Sequence, residues 1–316
     1  MKRIILLAGV IALFMGCTNQ EKVMDQPSDK STVIAVQATP IISISEDGPF
    51  RDMVVGTAVS NKFYWSNGDQ VGVFEINGGN FKGNGNHFVF EYRGVTGSEL
   101  ISAGSNFVAI GSTNSAAKDY LAFCPYSDAI GRQKALDQKS VHFALPDVQA
   151  SDNNTIDNFG ATDFMYSDLL LNFSVGAFNK SAVVFKHAMT WLQFTVSNLH
   201  PATGEKQAEV LQSITIKAVD PNIFYKGVLL DATDVLSTDP NDAVTSIALT
   251  TNSYSGTAPY LGWLAFYSNV KAGNAYDVII TTSWGTYTIH KNASSTYLPN
   301  YTYTLSVNLS SLSLDK

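Results

Sequence analysis

The sequence predicts an all-β protein built from two β-sandwich domains in tandem, and three observations support this prediction. Short segments rich in valine, isoleucine, threonine and aromatic residues recur at a spacing of roughly 8 to 15 residues. Clusters of glycine, asparagine, aspartate and serine separate them, and EINGGNF, KGNGNHF and TSWGTYT are typical of hairpin loops. No long stretch repeats its apolar residues at the 3.6-residue period of a helix.

The candidate strands fall into two groups. The first opens with TVIAVQATPIISIS at residues 32–45 and continues with QVGVFEI, HFVFEY, NFVAIGS, YLAFCPY and SVHFAL. The second comprises AVVFKHAMTWLQFTVS, SITIKAV, IFYKGVLL, TSIALT, YLGWLAFY, YDVIITTS, GTYTIHK and YTYTLSVNLS. The polar stretch NFSVGAFNKSA at residues 172–182 lies between the groups. We therefore expect an N-terminal domain at residues 32–178 and a C-terminal domain at residues 179–316.

An export signal precedes the strands. Lys2 and Arg3 are followed by an apolar run that ends at Met15, and the small residue Gly16 lies immediately before Cys17. The run is too short to span a bilayer, which needs about 20 residues. This arrangement resembles the lipobox of bacterial lipoproteins, and the alternative is an ordinary signal peptide with a chance cysteine.

The lipobox interpretation divides the N-terminal region into two parts. We expect a signal peptide at residues 1–16, and a polar, flexible tether at residues 17–31. Cys17 would carry a diacylglyceryl group and palmitate-type acyl chains, which anchor a protein stably when several are present. The expected location is the outer membrane at the cell surface.

Composition excludes some classes of partner. The formal net charge is -7 and no run of lysine or arginine occurs, so nucleic acid is not an expected partner. Hydrophobic residues make up 45% of the chain and charged residues 15%, which is enough apolar material for folded domains. Cys124 would be the one cysteine left after lipidation of Cys17, and we expect it to be a small buried residue.

The motifs of common catalytic sites are absent from the sequence. It contains no HExxH, GxSxG, P-loop or CxxC pattern. Its histidines are scattered, without metal-ligand spacing, at His87, His142, His187, His200 and His290. We interpret His187 as a histidine at the edge of the core, bonded to backbone. A hydrolase would need paired carboxylates in a cleft, so we predict neither an enzyme nor a cofactor.

Two acidic loops raise the question of a bound cation. The loop at residues 151–163 offers hard oxygen ligands in Asp152, Asn154, Asp157 and Asp163. It does not fit the EF-hand pattern, because Ile156 occupies a ligand position and the sixth residue is not glycine. The loop at residues 231–242 has no better pattern. We interpret both as solvated loops and predict no metal site.

Aromatic residues allow two interpretations. They make up 11% of the chain and include the tryptophans Trp65, Trp191, Trp263 and Trp284. Exposed tryptophans would form a platform on which sugars stack, whereas most large aromatic residues of β-sandwiches fill the core. The sequence does not distinguish these alternatives.

Four segments, in order, carry a resemblance to a known family. They are FYWSNGDQVGVFE (63–75), LAFCPYS (121–127), DFMYS (163–167) and VVFKHAMTWLQFTV (183–196). Together they resemble the fimbrillin-like (Mfa-like) lipoproteins of Bacteroidetes, relatives of the FimA-type major pilins. In the first segment Trp65, Gly68 and Asp69 precede residues 71–74, and in the second Cys124 stands where an aromatic residue is usual. The last segment matches the family at Phe185, His187, Met189, Leu192 and Phe194.

The resemblance implies two transthyretin-like β-sandwich domains and a role as a type V pilus subunit or surface adhesin. In the family, the precursor is cut after an arginine, an N-terminal strand is released, and a strand of another subunit replaces it. Arg51 lies between residues 32–45 and the first family motif, so it is the candidate cleavage site. The alternative is that Arg51 is an exposed loop residue.

The C-terminal segment bears on the position in a pilus. YTYTLSVNLS at residues 301–310 is predicted to be the last strand of its own domain, with only SLSLDK after it. We therefore expect a tip or accessory subunit, whose partners are other pilus subunits and a receptor or glycan on a host or bacterial surface. The alternative is a surface lipoprotein that binds glycans through exposed aromatic residues and does not polymerise.

Overall fold

The computed structural model describes most of the chain after residue 67 and one strand before it. The described residues are 36–40, 68–82, 87–93, 107–111, 116–126, 134–136, 139–146, 148–150, 162–176, 183 and 185–315. All of them belong to one compact unit, and none of its helices is long and apolar enough to cross a membrane. They form 23 strands, numbered β1 to β23 in chain order, with short 3-10 helices at Pro240–Asp242 and Leu309–Ser311. The all-β prediction is confirmed.

A six-stranded sheet contains both the first and the last strand. In spatial order its strands are β1 (Val36–Pro40), β23 (Tyr301–Asn308), β13 (Thr190–Ser197), β20 (Tyr260–Ser268), β15 (Phe224–Tyr225) and β18 (Ala243–Val244). Neighbouring strands are antiparallel, except that β13 and β23 run parallel.

A five-stranded sheet packs against one face of the six-stranded sheet. Its strands are β22 (Gly285–Asn292), β21 (Ala275–Thr282), β14 (Leu211–Ala218), β19 (Ser246–Tyr254) and β9 (Val148–Ala150). Fully buried residues alternate with partly buried ones along β21, and with partly buried or exposed ones along most of β14, so each strand turns one row of side chains inward. Leu192, Phe194, Ile214 and Val278 belong to the core between the two sheets, which form a β-sandwich.

Two further sheets contain most of the described strands from the first half of the chain. The eight-stranded sheet consists of β12 (Phe185–His187), β10 (Met165–Ser167), β6 (Lys118–Cys124), β2 (Gln70–Asn77), β4 (His87–Tyr92) and β5 (Phe107–Ile110), with β11 (Leu170–Phe173) beside β6 and β3 (Asn80–Phe81) beside β2. The four-stranded sheet consists of β17 (Leu236–Ser237), β16 (Gly227–Asp231), β8 (Ser140–Ala144) and β7 (Lys134–Leu136).

A second core joins these sheets to the six-stranded sheet. Its members include Phe123 of the eight-stranded sheet, Val228 of the four-stranded sheet, and Trp191 and Trp263 of the six-stranded sheet. Along β20, Trp263, Ala265 and Tyr267 belong to this second core, whereas Leu264 and Phe266 belong to the first. Since neighbouring side chains of a strand point to opposite faces, the six-stranded sheet is covered on both faces at β13 and β20.

A third apolar cluster lies on the other face of the eight-stranded sheet. Tyr120, Ala122 and Cys124 of β6 belong to it, whereas Leu121 and Phe123 belong to the second core. Cys124 is fully buried, so the expectation of a small buried residue is confirmed.

Two predicted strands are each divided between two sheets. AVVFKHAMTWLQFTVS contains β12 in the eight-stranded sheet and β13 in the six-stranded sheet, with the change at Ala188 and Met189. IFYKGVLL contains β15 and β16, with the change at Lys226. All of these segments have high β propensity, which does not indicate where a chain leaves one sheet for another.

Strands from both sides of residue 178 pair with one another. β8 pairs antiparallel with β16, and β9 pairs parallel with β19. The buried side chain of Gln149, on β9, donates from Nε2 to the Ala265 carbonyl at 2.6 Å and accepts from the Ala265 N–H at 2.8 Å. Through these bonds β9 ties the five-stranded sheet to β20. The division into domains at residue 178 stays a prediction.

A two-residue hairpin joins β2 and β3. Asn77 pairs with Asn80, and Gly78 and Gly79 between them have φ values of 60° and 75°. A type I′ turn needs positive φ at both central positions, a conformation that glycine adopts without a steric penalty. The hairpin predicted at EINGGNF is therefore present.

Candidate assembly surface at the β1 edge

β1 is an outermost strand of the six-stranded sheet. It pairs antiparallel with β23, with Val36 opposite Leu305 and Pro40 opposite Tyr301. Among the described strands, β23 is its one neighbour. A strand at a sheet edge is held by a single ladder of backbone hydrogen bonds, so it can be removed without opening the sheet elsewhere.

β23, in contrast, is fixed within the sheet and the core. It pairs in parallel with β13 over all but its first residue, from Thr302 opposite Trp191 to Asn308 opposite Ser197. Its residues Tyr303, Leu305 and Val307 are buried in the first core. Removal of β1 would therefore expose the backbone edge of β23 while β23 itself stays in place.

A tyrosine cluster fixes the start of β23. The Tyr303 hydroxyl accepts a hydrogen bond from the Leu298 N–H at 2.9 Å and donates to the Thr296 carbonyl at 3.1 Å. Its ring lies 4.3 Å from that of Tyr297, whose hydroxyl is 2.6 Å from that of Tyr276. Burial raises the pKa of all three tyrosines above the ordinary value. They therefore stay protonated even at a pH at which an exposed tyrosine ionises.

The residues after β23 are also bound to this chain. The Asn198 side chain donates to Asn308 at 2.8 Å. Further on, the Asp315 N–H donates to the Thr286 carbonyl at 2.8 Å, and the Thr288 hydroxyl donates to the Asp315 carboxylate at 2.7 Å. The segment from β23 to Asp315 thus packs against its own sandwich.

Cys17 and Arg51, the predicted lipidation and cleavage sites, lie outside the described residues. Their positions in the sequence are nevertheless informative. Cys17 precedes β1, and Arg51 lies between β1 and β2. A cut after Arg51 would therefore separate a piece that contains Cys17 and β1 from a body that contains β2 to β23.

Each histidine with a described side chain lies beside a carboxylate. The pairs are His142 with Asp242, His187 with Asp163, His200 with Glu209, and His290 with Asp277. Sequence analysis missed them because the partners are distant along the chain, by as much as 100 residues. His187 Nδ1 lies 2.7 Å from Asp163 Oδ1, and both side chains are fully buried. We predicted that His187 lies at the core edge and bonds to backbone. This prediction is wrong, because His187 is fully buried and its Nδ1 lies beside a carboxylate.

The acidic loops differ in what they bring together. Asp163, the described member of the set in residues 151–163, is paired with His187, while Asp152, Asn154 and Asp157 lie outside the described residues. In the loop at residues 231–242, Asp239 and Asp242 lie with His142 so that their ligand atoms are all within 4.8 Å. This is the one group of metal-ligating side chains found among the described residues.

The described tryptophans do not form an exposed platform. Trp191 and Trp263 are buried in the second core. The Trp284 ring stacks on His200 with centroids 4.9 Å apart, and Lys206 Nζ lies 4.9 Å from its centroid. Its indole N–H donates to the Gln207 carbonyl at 3.0 Å. Trp65 lies outside the described residues.

The solved structures that are similar to this chain include three from Bacteroides species. A candidate cell adhesion protein from Bacteroides ovatus is 12% identical, with a TM-score of 0.48 over 78% of this chain and 83% of that chain. Another from Bacteroides uniformis is 15% identical, with a TM-score of 0.45 over 79% and 90%. A fimbrial protein from Bacteroides vulgatus is 14% identical, with a TM-score of 0.38 over 76% and 89%.

Comparisons of sequence give a clearer result. No curated protein matches the chain. The model of the fimbrillin-like family matches residues 56–315, which include all the strands from β2 to β23. The resemblance noted in the four sequence motifs is confirmed, and this chain belongs to the fimbrillin-like family.

Proposed function

We propose that this chain is a fimbrial subunit or surface adhesin of the outer membrane, exported as a lipoprotein on Cys17. Cleavage after Arg51 releases the body from its anchor, and a strand of another subunit then replaces β1. The membership of the fimbrillin-like family supports a role in a cell-surface fimbrium. The finer steps rest on the arrangement of β1 and β23.

The observation that supports strand replacement is the single pairing of β1. After a cut at Arg51, β1 would be held to the body by backbone hydrogen bonds with β23 and by no peptide bond. Once β1 leaves, β23 presents unpaired N–H and C=O groups, which are costly to leave unsatisfied beside a core. An extended strand from another subunit satisfies them by adding to the sheet.

The arrangement of β23 supports a tip or accessory position. A subunit in a shaft both receives and donates a strand. β23 and the following residues to Asp315 are bound to this chain's own sandwich, so they are not free to be donated. This binding therefore favours a subunit that receives a strand over one that also donates this segment.

Glycan binding through tryptophans receives no support from the described residues. Trp191 and Trp263 are buried, and Trp284 already contacts His200 and Lys206. A sugar ring needs an open aromatic face for stacking. The expected partners are therefore other subunits and a receptor or glycan that binds elsewhere than at these three tryptophans.

The first measurement is the N-terminus of the mature protein, by mass spectrometry of membrane and sheared extracellular fractions. Sheared protein that begins at Asp52 is the expected result, with a lipidated Cys17 on the uncut precursor. If every molecule begins at a lipidated Cys17, assembly after cleavage at Arg51 is excluded, whereas the proposed lipidation of Cys17 is supported.

A matched pair of variants isolates the cleavage site. We expect Arg51→Ala to prevent release and assembly. Arg93→Ala is the control, because Arg93 is exposed and its Nε bonds to the Glu91 carboxylate at 2.9 Å. Release that persists in Arg51→Ala, or is lost equally in both variants, would contradict the proposed cut.

A further inference from the structure

We propose that His142, Asp239 and Asp242 form a binding site for a divalent cation of the zinc class. The site goes beyond the fimbrial role, because it lies in the body of the protein and not at the β1 edge. Its three ligand atoms are all within 4.8 Å of one another. Nothing in the sequence pattern indicated it, since His142 and Asp242 are 100 residues apart.

The fold brings the ligands together from two elements. His142 is on β8, whose pairing with β16 places it opposite Leu229. Asp239 caps the 3-10 helix Pro240–Asp242, which connects β17 to β18, and Asp242 is the last residue of this helix. The first ligand therefore comes from the four-stranded sheet, and the other two from the segment that leads into the six-stranded sheet.

Backbone hydrogen bonds hold Asp242 in place. Its N–H donates to the Asp239 carbonyl at 2.9 Å, and its carbonyl accepts from the Lys226 N–H at 3.1 Å. The residue is 8% exposed, and its carboxylate oxygen Oδ2 contacts His142 Nε2. A ligand that is fixed before binding loses little conformational entropy when the cation arrives.

Gly227 leaves the space that the ligands share. A Cβ atom at this position would overlap Asp242 Oδ2 and lie 2.9 Å from His142 Nε2. Any other residue at 227 would therefore push the two ligands apart. Because Gly227 begins β16 directly beside Lys226, it is also where the chain passes from one sheet to the other.

Asp239 contributes a carboxylate with one oxygen already used. Its Oδ1 accepts from the Asn241 N–H at 2.9 Å and from the Asn241 side chain at 3.0 Å. These bonds cap the 3-10 helix and leave the second oxygen as a ligand atom. The cap thus fixes the second carboxylate next to the first.

The donor set favours zinc over calcium. Zinc accepts imidazole nitrogen together with carboxylate oxygen, and three protein ligands with a water complete its tetrahedral shell. Calcium takes six to eight oxygen ligands, which this group does not supply. The two carboxylates also supply negative charge, which a divalent cation offsets.

Binding would clamp parts of the molecule that lie on both sides of residue 178. β8 comes from the first half of the chain, and the segment at residues 239–242 comes from the second. A cation that binds the folded state and not the unfolded chain stabilises the fold by mass action. Zinc would thus stiffen the junction of the two halves.

Calorimetric titration of the full mature chain with zinc chloride, after treatment with a chelator, tests the site. We expect one zinc ion per chain and, at a hundredfold excess over the dissociation constant, a rise in Tm of about 5 °C. Calcium chloride at the same concentrations should produce neither effect.

Two variants distinguish ligation from folding. Asp239→Asn keeps the cap, because asparagine caps helices as well as aspartate does, yet it should weaken zinc binding at least about tenfold. His290→Gln is the matched control, since His290 also pairs with an aspartate, Asp277, at 2.6 Å but belongs to no three-residue group among the described residues. Its zinc affinity should equal that of the wild type.

Three results would overturn the proposal. They are zinc binding that is unchanged in Asp239→Asn, an equal loss in His290→Gln, or binding of calcium in preference to zinc. If Asp239→Asn fails to fold, His142→Gln is measured in its place, with the same expected loss.

Discussion

At the scale of single residues, Glu209 is the most heavily bonded buried carboxylate described in this chain's sandwich. It is 1% exposed, and its Oε1 lies 2.6 Å from the Thr282 hydroxyl and 2.9 Å from the Tyr287 hydroxyl. Oε2 lies 2.7 Å from His200 Nδ1 and 3.1 Å from its N–H. Burial raises the pKa of Glu209, but the hydrogen bonds outweigh this effect and bring the pKa below its ordinary value.

We predict that Glu209→Gln lowers the free energy of unfolding at pH 7 by about 1–3 kcal/mol. The amide replaces an acceptor oxygen with a donor, so at least one buried partner loses its bond. A carboxylate whose pKa is lowered by folding stabilises the fold above its unfolded pKa, and this contribution is lost as pH falls through the folded value. The difference between variant and wild type should therefore shrink below about pH 4.3.

Urea denaturation from pH 7 to pH 3 measures this difference. Glu205→Gln is the control, because Glu205 is an exposed glutamate in the same loop. A wild-type advantage that is the same at pH 3 as at pH 7 would show that the charge of Glu209 does not contribute.

At this scale, the burial of a single residue could be predicted from the sequence, but the partner of a polar side chain could not. The burial of Cys124 follows from its own apolar segment. The pairing of His187 with Asp163, or of His142 with Asp242, depends on strands that meet only after folding. Local spacing contains no information about such contacts.

At the scale of elements, the edge position of β1 leads to a test of strand release. Gln37 lies opposite Thr304 in the β1–β23 register. We predict that Gln37→Cys with Thr304→Cys, in the lipidated chain, forms a disulfide because directly opposite residues have Cβ atoms about 5 Å apart. The bond should block assembly after cleavage at Arg51, and a reducing agent should restore it.

Gel analysis of polymers before and after reduction provides the measurement. The control pairs Gln37→Cys with Ser306→Cys, which is two residues out of register and should not crosslink. Equal assembly of the locked and reduced proteins would mean that β1 does not leave.

At this scale, the positions of most strands could be predicted from the sequence, but the sheet to which each strand belongs could not. Alternating and β-branched segments identified most strands, including β2, β8 and β14. They did not show that β12 and β13, or β15 and β16, belong to different sheets. Sheet membership depends on the partner strand that each half of a segment finds, and a segment of high β propensity can pair with either partner.

At the scale of the whole molecule, the second core couples the two halves of the chain. It contains Phe123 and Phe143 from before residue 178, and Trp191 and Trp263 from after it. Burial of a large aromatic side chain contributes several kcal/mol, so neither half keeps this core without the other. The sequence predicted sandwiches from strand spacing, but it gave no sign that one sheet would have two covered faces.

We predict that the protein unfolds in a single transition. β8 and β9 of the first half pair with β16 and β19 of the second half. If either half unfolds, the other half loses these pairings, which makes unfolding cooperative. Differential scanning calorimetry should give one peak, with equal calorimetric and van't Hoff enthalpies. Far-ultraviolet circular dichroism and tryptophan fluorescence should report the same midpoint.

Two separate transitions would instead mean that the predicted domains at residues 32–178 and 179–316 fold independently. In that case Gln149→Leu, which removes both bonds to Ala265, would not lower the midpoint temperature of the second transition. A lowered second midpoint would identify β9 as part of the C-terminal unit.

The covered faces of β20 also limit which substitutions this strand can accept during evolution. Of the nine residues of this strand, all but Leu261 are buried. A substitution on either face disturbs a packed core, so few positions accept variation without loss of stability. Among diverging relatives, β20 should therefore change slowly whether or not it contacts a partner molecule. A search for adhesive surfaces by slow sequence change would therefore select this strand for reasons of packing alone.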